Sequence, residues 1–146
     1  MNHETYKRAG FGTVTPYLLI PDAHHLIELI EQVFDGEIES RFTGDNNRIM
    51  HVEARIGDSR IMFGEPPETF DLAPGSIYLY VPDCDDTFNK AIQFGCAEIM
   101  PVASMEHSGQ RYGGVKDRNG TIWWIATQIE DVSDDEEQKR IEAAGL

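Results

Sequence analysis

Residues 17–38, YLLIPDAHHLIELIEQVFDGEI, and residues 78–99, YLYVPDCDDTFNKAIQFGCAEI, lie over one another without a gap. Tyr17 falls on Tyr78, Leu18 on Leu79, Pro21 on Pro82, Asp22 on Asp83, Gln32 on Gln93 and Ile38 on Ile99, all at a shift of 61. The same shift carries on, more weakly, into RIGDSRIMF (55–63) over KDRNGTIWW (116–124). A constant offset over that length marks two copies of one unit. Each copy opens with a short apolar strand, 15–20 or 76–81. Pro-Asp follows, with Asp22 or Asp83 placed to cap a helix through its side-chain oxygen.

Helical spacing puts Ala23, Leu26, Ile27, Ile30, Val33 and Phe34 on one stripe, ending near Gly36. Its counterpart carries Cys84, Phe88, Ala91 and Ile92 and stops at Gly95. Three strand-like stretches come next in each copy: 37–43, 49–56 and 60–64, then 98–102, 111–116 and 121–128. Gly57-Asp58 and Asn119-Gly120 supply hairpin turns. The expected fold is α+β, built of two tandem βαβββ modules. Residues 12–66 form the first module, 67–75 a proline-rich linker, 76–128 the second module and 129–146 an acidic tail, all within one structural domain. In the tail, Ser133 and Glu136 have capping-box spacing and predict a short helix. A sheet covered on one face by a helix leaves its other face available. Two such sheets side by side would curve into an open trough, helices outside.

The chain carries 26 acidic against 12 basic residues, a formal charge of −14. That balance argues against nucleic acid, whose binding relies on Lys and Arg neutralising phosphates. It suits solubility, or attraction of a cationic small molecule. No apolar run approaches the roughly 18 residues of a membrane span. The opening MNHETYKRAGFGTV lacks the apolar stretch of a signal peptide, so a cytoplasmic protein is expected. Cys84 and Cys96 bracket the second helix, roughly 18 Å apart at 1.5 Å per residue, too far for a disulfide.

TPYLLIPDA, HVEARIGDSRIMFGE, YLYVPDCDDTF and RYGGVKDRNGTIWWIATQIEDV, set in a duplicated βαβββ pattern, resemble the vicinal oxygen chelate superfamily of glyoxalase, ring-cleaving dioxygenase and bleomycin-resistance proteins. The closing motif and HVEARIGDS are most similar to its PhnB-like branch. The resemblance implies the glyoxalase/bleomycin-resistance type of curved sheet, and a homodimer. It also implies that metal-dependent members take ligands from the first and last strands of each unit. Carried across, those positions hold Thr15 and Ser76, then Phe63 (or Met62, with a slip of one place) and Trp124. None is a usual ligand of a catalytic divalent metal, so neither metal nor cofactor is expected. The family's Asp-Pro-x-Gly turn is altered too, with Arg118 in the proline position.

Strand alternation then assigns the trough face. Trp123 packs under a helix and Trp124 faces the trough. Val52, Ala54 and Ile56 face the helix, leaving His51, Glu53 and Arg55 opposite. Tyr112 and Lys116 in the second unit, Phe63 at the ligand position, and Tyr17, Tyr78 and Tyr80 from the first strands complete the candidate ligand-binding set. The segment SMEHSGQ, with His107, reads as a loop that covers the trough. The leading expectation is a metal-independent protein that binds, and by one version sequesters, an aromatic or cationic compound. The rival is a lyase- or isomerase-type enzyme, with His51 and Glu53 as an acid–base pair or as part of an atypical metal site. A third reading is a domain that chiefly mediates association.

Overall fold

A computed structural model of the chain describes residues 6–146. Residues 1–5, which begin the stretch read for a signal peptide, lie outside the described residues. The chain divides into two compact units, Met1–Pro74 and Gly75–Leu146. No helix among the described residues is long and apolar enough to cross a membrane.

The first unit runs β1 (Tyr17–Leu19), α1 (Ala23–Gln32), β2 (Glu37–Thr43), a single 3₁₀ turn (Asp45–Asn47), β3 (Ile49–Ile56) and β4 (Ser59–Gly64). Its sheet has the order β1-β4-β3-β2, with β1 and β4 parallel and the other pairs antiparallel. The parallel pair requires a crossover, and α1 provides it. The Asp22 side chain accepts from the backbone N–H of His25 (3.1 Å), the capping bond expected from Pro-Asp. Leu18, Ile20, Leu26, Leu29, Ile30, Val52, Ala54, Ile61 and Phe63 fill the layer between helix and sheet and are all under 5 % exposed. Each large apolar side chain buried there contributes about 1.5–3 kcal/mol.

The second unit repeats the plan: β5 (Ser76–Tyr80), α2 (Cys84–Phe94), β6 (Ala97–Met105), β7 (Gln110–Lys116) and β8 (Ile122–Gln128), ordered β5-β8-β7-β6. Asp83 caps α2 by accepting from Asp86 N–H (3.1 Å), and Gly95, at φ 121°, closes it. Trp123, Val115, Ile125, Phe88, Ala91 and Cys84 form the layer under α2. Both cysteines are reduced and buried. A third helix, α3 (Asp134–Ala144), follows with Ser133 as its N-cap, accepting from Glu136 N–H at 3.2 Å. Arg140 ties it back through the carbonyl of Glu106 (2.7 Å) and the carboxylate of Glu130 (2.9 Å).

Three local expectations change. β1 starts at Tyr17 rather than residue 15, because Pro16 has no N–H to extend the ladder. β6 runs on to Met105, through Pro101 and two register shifts. As a result, residues 106–109 form a tight turn, in which Ser108 and Gly109 donate to Met105 O. Finally, the linker folds back on the first unit: Ala73 exchanges two backbone hydrogen bonds with Leu19, covering the outer edge of β1.

Candidate functional site

The register decides which side chains share the helix-free face of each sheet. In the first unit Tyr17 pairs with Met62, and Met62 with Glu53. In the second, Tyr78 pairs with Trp124, and Trp124 with Gly114. Glu53 and Gly114 are 61 positions apart, whereas Met62 and Trp124 are 62 apart. The β7–β8 turn is therefore one residue longer than the β3–β4 turn, and the slip falls within it. Met62, not Phe63, is the counterpart of Trp124. Phe63 is fully buried between Leu18 and Val52 in the helix-covered layer, which removes it from the candidate ligand-binding set.

That longer turn has a buried acid at its root. Asp117 accepts from the backbone N–H groups of Asn119 (2.9 Å) and Thr121 (3.0 Å), and from the indole N–H of Trp123 (3.0 Å). Trp123 is thus fixed beneath the helix, as alternation predicts. Trp124, next along, must point the other way.

On the helix-free face of the second sheet, four aromatic rings form a chain. Tyr80 meets Tyr78 (centroids 5.4 Å apart), Tyr78 meets Tyr112 (5.9 Å), and Tyr112 meets the edge of Trp124 (6.2 Å). Trp124 donates its indole N–H to Ser76 Oγ (2.9 Å). The Tyr78 hydroxyl donates to Gln110 Oε1, and the Gln110 amide donates to Tyr80 Oη (3.0 Å). Burial, followed by the neighbouring Tyr80 and Tyr112, pushes the Tyr78 phenol up to about 12, so it stays a donor at neutral pH. Tyr78 and Tyr80 remain 43 % and 61 % exposed despite these contacts. Lys116 lies on the same face, exposed, two residues beyond Gly114.

Both glycines of RYGGVK are explained by close approach. A β-carbon on Gly113 would stand 2.9 Å from Val102 and 3.0 Å from Phe88 on α2. One on Gly114 would stand 2.6 Å from Cζ3 of Trp124, so the missing side chain is the seat on which the indole lies.

The first sheet's face has a different character. Glu53 is 4 % exposed, although strand alternation alone suggests a solvated charge. Its Oε2 meets His51 Nε2 at 3.1 Å and its Oε1 accepts from Arg8 Nε at 2.6 Å. Burial pushes the carboxyl up, but the hydrogen bonds from His51 and Arg8 outweigh it and hold the group below its ordinary range. Tyr17 packs edge-on against the His51 ring (5.5 Å) and Phe42 stacks on it (6.2 Å). Arg55 is engaged elsewhere, by Glu37 (2.7 Å) and Glu39 (3.9 Å). Arg60 also binds Glu39 (2.7 Å), hydrogen-bonds the carbonyl of Gly10 and lies over the Phe11 ring (5.7 Å). Residues 8–11 are therefore anchored across this face at both ends. Arg8 is the site residue that sequence reasoning missed. It stands 45 positions from Glu53, and no periodicity links the two.

The metal positions implied by the resemblance can be tested on these contacts. The hydroxyl of Ser76 is already accepting from Trp124, whose indole nitrogen has no lone pair to offer, and Met62 brings a thioether. These groups do not fit a divalent metal. Both Glu53 oxygens are taken, one of them by a guanidinium that opposes a cation there. Among the described residues no three His, Cys, Asp or Glu side chains gather.

No family model matches the chain. Uncharacterized proteins of Mycobacterium bovis and Mycobacterium tuberculosis are 26 % identical over 143 residues, covering 90 % of this chain and 93 % and 84 % of theirs. Among solved structures, TioX from a Micromonospora species has a TM-score of 0.64 at 17 % identity, over 84 % of this chain and all of its own. A PhnB protein from Bacillus cereus has a TM-score of 0.64 at 22 % identity, over 80 % of this chain and 99 % of its own. The fosfomycin resistance protein FosX from Listeria monocytogenes, complexed with Mn(II) and sulfate, has a TM-score of 0.62 at 13 % identity, over 88 % of this chain and 96 % of its own. These neighbours belong to one superfamily, and two four-stranded mixed sheets in βαβββ order are its signature. The chain has the fold of the vicinal oxygen chelate superfamily, the architecture of the glyoxalase and bleomycin-resistance proteins.

Proposed function

We propose that the chain binds a small aromatic or cationic molecule, without a metal, against the helix-free face of its second sheet. The observation that carries this reading is the chain of rings from Tyr80 to Trp124. Aromatic side chains at sheet surfaces usually bury their faces, yet two of these tyrosines keep about half of theirs in solvent. Ring faces are electronegative and attract cations and planar π-systems. The charge of −14 concentrates cations around the protein as a whole. Sequestration of a toxic compound is one form such binding would take.

Titration of intrinsic fluorescence with a panel of aromatic amines and quaternary ammonium compounds tests the reading. The expected result is saturable quenching that disappears in Trp124→Phe, while emission from buried Trp123 is left unchanged. Quenching of equal size in that variant would remove Trp124 from the site.

A second reading rests on the His51–Glu53 contact. A carboxylate held ionised beside an imidazole orients the ring, as a general acid–base pair requires. An enzyme built on this pair loses turnover in Glu53→Gln and keeps its binding. Full turnover in that variant would exclude Glu53 from the mechanism.

A further inference from the structure

The first unit holds a cleft of about 340 Å³ that shares only Tyr17 with the candidate ligand-binding set. One wall is the β1–β4 edge, with Tyr17 and Leu19. The other is the folded-back linker carrying Phe70, held in place by the Ala73–Leu19 bridge. The size matches small-molecule sites, which begin at roughly 300 Å³. Tyr17, Met50 and Phe70 are 49 %, 46 % and 62 % exposed, so three large apolar side chains stand in solvent around one opening. Exposed apolar side chains grouped around one concave opening point to a binding site.

Two charged residues line the cleft, and their situations differ. The Glu65 carboxylate is turned inward and used up. One oxygen accepts from Ala23 N–H at the start of α1 (3.0 Å), and the other from Ile49 N–H (3.0 Å). Among the described residues the Arg48 side chain makes one hydrogen bond, a long one to the backbone carbonyl of Glu65 (3.3 Å). Among the described residues, no carboxylate reaches ion-pair distance of its guanidinium, in a chain where acids outnumber bases 26 to 12. A guanidinium has five donors, and most of those on Arg48 face the cleft or solvent without an acceptor.

We infer that this cleft is a second ligand site, selective for a small amphipathic anion. Arg48 takes the carboxylate or a similar oxyanion, and Leu19, Met50 and Phe70 cover the apolar body. Its charge preference is opposite to that of the aromatic face, so the two sites are independent.

Octanoate and octylamine, the same chain with opposite charges, are the probes. In ¹H–¹⁵N spectra of the intact protein, octanoate shifts the amides of Arg48, Glu65 and Phe70 saturably, while octylamine leaves them in place. Arg48→Gln weakens octanoate about tenfold, the effect of losing one charge-assisted pair. Phe70→Ala weakens it as well without altering the preference for the anion. Three outcomes would overturn the inference: equal binding of the two probes at this cleft, octanoate shifts confined to other residues or absent, or unchanged affinity in Arg48→Gln with the native spectrum intact.

Discussion

Gly114 and Trp124 are register partners on adjacent strands, and the indole of one occupies the space where a side chain on the other would be. The aromatic face is thus set by an absence in β7 as much as by the rings themselves. A methyl group at 114 can be accommodated only by moving the indole, since the flanking strands are fixed by their ladder. Gly114→Ala should therefore tilt Trp124, break its bond to Ser76 and destabilise the fold by about 1–3 kcal/mol through overpacking. Urea unfolding measures the cost, and a change in Trp124 emission in a Trp123→Phe background reports the tilt. Unchanged emission would mean that the indole has room to spare.

Asp117 holds the β7–β8 turn from inside, with three donors on two oxygens. Asp117→Ala strands two buried backbone N–H groups and the Trp123 indole N–H. The expected loss is about 3 kcal/mol or more, given roughly 1–3 kcal/mol for each buried donor left unsatisfied. Chemical unfolding gives the number, and a loss under about 1 kcal/mol would show that water replaces the carboxylate.

Glu53 links the fold to pH. Its native carboxyl lies below the ordinary value of 4.5, because bonds from His51 and Arg8 together overcome the opposing effect of burial. A carboxylate whose native pKa is depressed stabilises the folded state above its unfolded pKa. That contribution is lost as pH falls through the native value. Arg8→Ala should raise the Glu53 titration midpoint, read from its side-chain carbonyl carbon by NMR, and bring acid unfolding to a higher pH. A midpoint that stays put would show that His51 alone holds the carboxylate.

Cys96 sits behind α2, and burial with nearby Asp117 pushes its thiol up to about 11. Thiolate is the reactive form, so at pH 7–8 Cys96 should resist alkylation by iodoacetamide in the native protein and react once urea exposes it. Rapid native labelling at Cys96, located by mass spectrometry, would contradict this placement.

The duplication was legible because each unit must solve the same problem: a strand, a capped helix to cross over, and three more strands to pair. Asp22 and Asp83 cap as their position after proline implies. The opposite facing of Trp123 and Trp124 follows from a period of two and nothing else. Phe63 was misplaced because the constant shift of 61 was carried through a turn that is one residue longer in the second unit; Met62, one place back, is the true counterpart. Arg8 and the Arg48 cleft were beyond reach for another reason. Both depend on irregular segments, residues 8–11 and 65–73, which have no repeat from which a direction could be read.

Pro101, which β6 runs through on its way to Met105, bears on how copies of this chain can meet. β2 and β6 each form one edge of their sheets, and each is broken by register shifts, with a proline added in β6. A strand arriving from outside would find a missing donor at Pro101 and a twisted, uneven ladder along β6. Growth of the sheet by β-strand addition, the usual route to fibrillar aggregates, is therefore obstructed along these two edges.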